Sequence, residues 1–427
     1  MGNQLLTPLP TLIHNHNRLD PLLTLRGFAC FMVVIFHCLP PRNSIIYKGY
    51  DLSWLLCSNG MVAVWIFFVL SGYLMGKAFY THRYTNDVPG VINFWRNRAL
   101  RIFPLYYFAV LFLTVLVYPD WMRIENWGYL IRVCTFTYDG SPQLLSNLNF
   151  NGVFWSLSTE VQFYVIVPFI YSYFKHRLLN RKQVILSILL IFFTIFITRC
   201  IFWIAFRDEM SDKFSYVFKY WYAPLFTNLD LFLCGFLLNA LLSNTKLDYE
   251  IGVNGREDNK SNNIFLNVSK KNIALILIFL LYLFTAHHFY HQELFNLPER
   301  LGKGFRTTTT IFILPLVTAL VVSFFIFTFE YYEYNDFTKN EKLSFRIIIK
   351  NPVRVVEVFG HLSYGIYIWH VPIIEKVTPI FTSKIPIEAF YGRLIATFFL
   401  STVLASVSYY LIELPYAKNK ISRQNEN

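Results

Sequence analysis

Residues 22–39 read LLTLRGFACFMVVIFHCL, an apolar run of membrane-helix length that nonetheless carries Arg26 and His37. A helical span needs ~20 mostly apolar residues. Runs of the same kind recur at Gly60–Phe79, Ile102–Tyr118, Val153–Phe174, Val184–Phe206, Ala223–Leu242, Ile273–Phe289, Thr310–Phe329, Val358–Lys376 and Leu394–Ile412. The expected fold class is therefore all-α, a polytopic transmembrane helical bundle of about ten spans. Runs this long exclude a barrel of short alternating strands. Trp127–Tyr138 is too short to span and reads as an interfacial or re-entrant segment.

Composition agrees. Of 427 residues, 55% are hydrophobic and only 15% charged, against about a quarter charged in soluble domains. The 44 Phe and 28 Tyr suit rings placed in lipid or at its interface. A net charge of +12 raises nucleic acid as a partner. The basic residues are scattered through short loops, however, which favours lipid headgroups and topology control over nucleic acid. Arg83, Arg96, Arg98 and Arg101 follow the second run, and Lys175, Arg177, Arg181 and Lys182 the fourth. Later even loops are also basic, and odd loops are poorer. Both termini are therefore expected in the cytoplasm, with tails at 1–20 and 417–427 flanking a membrane domain at 21–416. The first run is too long for a cleavable signal and is expected to be retained. Ser243–Lys271 is rich in Asn, Asp, Glu and Lys and reads as a mobile loop, with its tip at Asn259–Asn263. The six cysteines show no metal or disulfide spacing and read as small buried hydrophobes.

Ionisable residues within spans are costly, so each is a functional candidate. Arg26 and His37 are eleven residues apart, close to three whole turns and ~16 Å along one helix face. With the N-terminus inside, Arg26 sits near the cytoplasmic entrance and His37 toward the outer half. The bland alternative for His37 is a histidine satisfied by a neighbouring helix. The fourth span opens GVFWSLSTEVQFY and descends from outside, which puts Glu160 at the depth of His37. A carboxylate that orients an imidazole makes a general base. The alternative for Glu160 is a wetted interfacial carboxylate. Arg98 and Arg101, three apart in NFWRNRALRIFPLYY, share a helix face if the third span has already begun there, and suit a phosphate-rich cytosolic ligand, or plain positive-inside anchoring. Asp230 either lines a cavity or pairs with a base. His370 follows LSYGIYIW, and Glu413 reads as a pairing carboxylate at a helix stop. His287 and His291 have a spacing that a metal can use, but no acidic signature accompanies them.

Taken in order along the chain, IFFVLSGYLMGK, FWRNRALRIFPLYY, WSLSTEVQFY, LDLFLCGFLLNALL, LSYGIYIWHVPI and IELPYA resemble the acyltransferase family 3 membrane proteins. These are bacterial O-acyltransferases that modify surface polysaccharides, lipopolysaccharide, peptidoglycan and some antibiotics. The family's arginine–ten residues–histidine pattern falls on Arg26 and His37, its arginine pair on Arg98 and Arg101, and its fourth-helix glutamate on Glu160. Many members carry two adjacent acids there. This chain has only Glu160, so a paired-carboxylate mechanism is not expected. The hydrolase-like domain that some members have is not expected here, so transfer is expected to finish in the bundle or on a separate partner.

The resemblance implies cytosolic acetyl-CoA or another acyl-CoA as donor, held by Arg98, Arg101 and Arg26. The acceptor it implies is a hydroxyl of an extracytoplasmic or lipid-linked carbohydrate, such as lipopolysaccharide O-antigen. His37 would act as general base or transient acyl carrier, oriented by Glu160, with no metal needed. Ser71, Tyr164, Asp230 and His370 are cavity candidates, and Ser71-Gly72 suits close helix approach. The setting implied is the bacterial cytoplasmic (inner) membrane. The rival reading is a secondary transporter or polysaccharide exporter using Arg26, His37, Glu160 and Asp230, but clear inverted repeats are not seen. A non-catalytic lipid-binding or assembly subunit is the third reading, and it predicts tolerance of substitution at His37.

Overall fold

In the computed structural model, residues 19–140, 151–212, 214–253, 260–291, 309–333 and 345–416 are described. The expected tails lie outside them apart from residues 19 and 20, as do residues 254–259 of the polar loop. The helices in chain order are α1 Pro21–His37, α2 Gly60–Tyr80, α3 Val88–Phe112, α4 Trp127–Cys134, α5 Phe154–Phe174, α6 Arg181–Asp212 and α7 Phe214–Val217. They continue with α8 Leu225–Val253, α9 Lys260–Tyr290, α10 Leu314–Glu333, α11 Phe345–Lys350, α12 Val355–Val377 and α13 Pro386–Ser408. Between α1 and α2, Ile46–Tyr47 (β1) and Tyr50–Asp51 (β2) form a two-residue antiparallel hairpin. It turns through Lys48 and Gly49, both at positive φ.

Seven helices, not about ten, are long and apolar enough to cross a membrane among the described residues. The reason is chemical. Helix α1 has only 17 residues. Helices α5 and α12 are long enough, but Ser156, Ser158, Thr159, Glu160 and Gln162 dilute the first, and Glu357, His361, Ser363 and His370 the second. Two boundaries also differ from expectation. Helix α3 starts at Val88, capped by Asp87, so Arg98 and Arg101 lie well inside a helix rather than ahead of one. The polar stretch after Ser243 continues α8 to Val253 and is re-entered by α9 at Lys260. A nucleated helix propagates readily through Lys, Leu and Glu.

Local chemistry starts these helices cleanly. Asp20 accepts hydrogen bonds from the amides of Leu22 and Leu23, with Pro21 in the first turn of α1. Asn59 caps α2 through the Met61 amide. In lipid, apolar faces gain little by meeting one another, so helices associate through close backbone approach and polar pairs. Helix α2 packs most extensively on α8. There a Cβ on Gly72 would stand 1.9 Å from the Phe232 carbonyl oxygen, and one on Gly235 2.0 Å from that of Val69. This bears out the close approach expected at Ser71-Gly72. The second such crossing joins α1 to α12. A Cβ on Gly27 would stand 2.2 Å from the Val356 oxygen, and one on Gly360 2.1 Å from that of Leu23.

The α1–α12 pair runs parallel. The Asp20 amide donates to Glu357 at one end, Arg26 to Ser363 farther along, and His37 meets His370 at the other.

Gly360→Leu should therefore separate α1 from α12, at a cost of ~1–3 kcal/mol or more. Gly128→Ala in α4, which has nothing within 4 Å of the added Cβ, should leave stability within ~0.5 kcal/mol. Thermal unfolding in detergent compares the two, and equal midpoints for both variants would refute the packing account.

Candidate active site

Five helices each turn one polar face to a shared cavity with about 900 Å³ of empty space, open mouth included. Helix α1 contributes Arg26, α2 contributes Ser71, and α3 contributes Arg98 and Arg101 from adjacent turns. Helix α5 gives Ser156, Glu160 and Tyr164 at four-residue steps, and α12 gives Ser363, Tyr364 and Tyr367. These spacings are the 3.6-residue period applied to polar side chains.

The hydrogen bonds knit the walls together. Ser71 donates to the Tyr164 hydroxyl at 3.1 Å, and Tyr164 donates to the Glu160 carboxylate. Tyr367 and Ser156 meet at 2.6 Å. Tyr364 donates to the carbonyl of Ile102 at 2.8 Å, tying α12 to α3. Arg26 Nη2 donates to Ser363 Oγ at 3.3 Å. Arg101 Nη1 lies 2.8 Å from Glu413 Oε2, which makes Glu413 the pairing carboxylate expected of it.

Charge is unbalanced in this cavity. Three guanidinium groups and the one carboxylate of Glu160 line it, and Glu413 offsets Arg101 from outside the lining. Arg26 Nε and Arg98 Nε are buried and find no hydrogen-bond partner among the described residues. Buried donors without acceptors are costly, so the cavity favours an anion that accepts from them. Planar, permanently charged guanidinium groups match phosphate oxygens in particular.

The expected site residues divide into three groups. Arg26, Arg98, Arg101, Glu160, Ser71 and Tyr164 come together around the cavity. His37 and His370 meet each other instead, beyond the Tyr367 wall, with His370 Nε2 3.2 Å from His37 Nδ1. The expected pairing of His37 with Glu160 gives way to Glu160 with Tyr164 and His37 with His370. The error was one of depth: Glu160 faces the arginines, not the histidine. Asp230 stands apart, in a buried double contact with Arg199. Nη1 lies 2.9 Å from Oδ2 and Nη2 2.9 Å from Oδ1. Arg199 also donates twice to the Thr227 carbonyl, at 3.0 and 2.7 Å. Asp230 therefore ties α6 to α8 and does not line the cavity.

Sequence reasoning missed Ser363, Tyr364 and Tyr367, although Gly360, Ser363, Tyr364, Tyr367 and His370 recur at helical spacing and form a readable face. It also missed Arg199, an arginine in mid-span. The His287 and His291 rings have centroids 4.6 Å apart and are tilted 44° to each other. Among the described residues no group of three or more His, Cys, Asp or Glu is placed to hold a metal.

Residues 22–412 match the family model described as an acyltransferase domain. Among relatives, O-acetyltransferase OatA of Staphylococcus aureus is 23% identical over 413 residues, covering 92% of this chain and 56% of its own length. Peptidoglycan O-acetyltransferase OatA of Listeria monocytogenes is 24% identical over 412 residues, covering 92% of this chain and 55% of its own length. A putative peptidoglycan O-acetyltransferase of Bacillus subtilis, YrhL, is 31% identical over 171 residues, 36% of this chain and 24% of its own length. The chain thus spans little more than half the length of the OatA relatives. No solved structure matches it.

The separate position of Asp230 has a measurable consequence. Asp230→Leu strands the Arg199 guanidinium in a buried site and should cost ~3–5 kcal/mol. Replacing both members with apolar residues should recover much of that loss. Unfolding midpoints of the single and double variants test this. A double variant no more stable than the single one would argue against a purely structural pair.

Proposed function

From the premise that this chain belongs to the acyltransferase domain family, as a multi-pass, membrane-embedded acyltransferase, we propose that it transfers acetyl from cytosolic acetyl-CoA to a carbohydrate hydroxyl. The acceptor in this reading is an extracytoplasmic or lipid-linked glycan. The observation that carries the proposal is the cavity of Arg26, Arg98 and Arg101, with buried guanidinium Nε donors left open. It sits at the foot of a helix whose last residue is His37.

The phosphates of the donor bind the arginine cluster, and Arg26 and Arg98 present the donors that lack acceptors. Glu160 and Tyr164 form the facing wall and limit its excess positive charge. The flexible pantetheine arm then runs along α1 past Tyr367, covering the ~16 Å that separates Arg26 from His37. At His37 the acceptor hydroxyl loses its proton to the imidazole as its oxygen bonds to the acyl carbon. The carbon–sulfur bond breaks, and the departing thiolate takes the proton from the imidazolium. Ester and free thiol are the products, and the histidine returns to its starting state. General-base assistance of this kind contributes ~10²–10⁴-fold. The glycan named for the Listeria and Bacillus relatives, peptidoglycan, makes a polysaccharide acceptor the first to try.

With purified protein, acetyl-CoA and extracted surface glycans, CoA release should depend on acceptor and fall ~10²-fold or more in His37→Ala. Arg98→Gln should raise the KM for acetyl-CoA ~10–100-fold, the loss of a charge-assisted contact of ~1.5–3 kcal/mol, with kcat within a few-fold. If folded wild type releases no CoA with any acceptor pool, the transfer reading fails and the exporter reading takes its place.

A further inference from the structure

His370 is fully buried, lies outside the cavity lining, and has no part in the acyl transfer described above. Its ring nevertheless makes three polar contacts, and together they determine where its proton sits. Nδ1 faces two backbone carbonyl oxygens, Tyr367 at 2.8 Å and Ile366 at 3.2 Å. A carbonyl oxygen only accepts, so Nδ1 carries the hydrogen. A neutral imidazole has one N–H, which leaves Nε2 of His370 with a lone pair. That lone pair points at Nδ1 of His37, 3.2 Å away.

The same reasoning extends to His37. Its Nδ1 faces the Val33 carbonyl at 2.9 Å and the His370 lone pair, both acceptors. The hydrogen of His37 therefore sits on Nδ1, and its Nε2 is bare. A histidine that merely filled space would be satisfied by its own helix, as the Val33 carbonyl alone could do for His37. The contact across the α1–α12 crossing adds a second acceptor and fixes the ring's orientation.

We propose that His370 is a positioning residue that, together with the Val33 carbonyl, holds His37 in the Nδ1–H tautomer and fixes its ring across the helix crossing, leaving Nε2 free as the proton acceptor. This rests on the reading of His37 as the base. When His37 takes a proton at Nε2, its Nδ1–H is already shared between the Val33 carbonyl and His370, and those bonds strengthen as the ring becomes cationic. His370 thus takes the place that a carboxylate holds in hydrolase triads, with a neutral ring whose own hydrogen is held by main-chain carbonyls. This also accounts for Glu160 lying in the arginine cavity: the histidine already has an orienting partner.

Two variants separate this role from packing. His370→Phe keeps ring volume and removes the acceptor; His370→Gln places an amide oxygen about where Nε2 stood. For His370→Phe, kcat should fall ~10²-fold or more, with the KM for acetyl-CoA within about threefold, because the arginine cavity is untouched. His370→Gln should recover at least tenfold of the lost kcat. Nitrogen-15 NMR of histidine-labelled protein supplies a readout independent of turnover, with the His37 signals assigned by their loss in His37→Ala. Wild type should show a bare Nε2 and a protonated Nδ1 at His37, and His370→Phe, which keeps only the Val33 acceptor, a larger share of the other tautomer. An unchanged His37 spectrum in folded His370→Phe, or Gln no better than Phe, overturns the proposal. Activity that survives His37→Ala alongside the expected spectra would instead overturn the general-base reading and leave the tautomer lock standing.

Discussion

The parallel crossing of α1 and α12 is the constraint on which the rest of the molecule depends. Gly27 and Gly360 let each backbone approach a carbonyl of the other helix at a distance that no side chain could share. With the two axes this close, short polar groups can bridge them. Arg26 reaches Ser363 at one level, and His37 reaches His370 three turns on. The α2–α8 crossing through Gly72 and Gly235 is as close, and from α2 Ser71 bridges to Tyr164 of α5. Lipid tails are as apolar as leucine, so these contacts give association a direction that apolar burial cannot.

The same economy explains where hydropathy reading succeeds and fails. Helices such as α6 and α13 present most of their apolar surface outward, and their sequences announce them as spans. Helices α5 and α12 fall below the apolar threshold and α1 below the length; with α2 and α3 they build the cavity, and α1 and α12 carry the histidine pair. A count based on lipid-facing character is weakest where the chemistry is densest. Arg26 and Glu160 are legible as ionisable groups within spans, and they share one cavity with Arg98, Arg101, Ser71 and Tyr164.

What was not legible is pairing. Span ends put Glu160 and His37 in the same half of the bundle, but they do not fix depth within it, and Glu160 pairs with Tyr164 instead. His370 is 333 residues from His37 in sequence, and nothing local joins them. Arg199 sits in mid-span opposite Asp230, where its cost in lipid was the signal available. The polar period of α12, from Gly360 through Ser363, Tyr364 and Tyr367 to His370, was also readable and would have indicated a cavity-lining face.

On the proposed function, a bundle that binds a cytosolic anion and acts on an outer hydroxyl has to keep two unlike environments on one rigid frame. The arginine end needs excess positive charge and open donors, which Arg26 and Arg98 keep. The histidine end needs a neutral ring with one nitrogen bare, and a nearby carboxylate would favour its cation even at rest. Placing Glu160 and Glu413 among the arginines, and a second neutral imidazole beside His37, meets both demands. Helices α1 and α12 carry both ends, so their register sets the distance from donor phosphates to base. On the proposed function, that register is the length over which the acyl arm must extend, and it is held by backbone contacts at Gly27 and Gly360 rather than by any group that takes part in the chemistry.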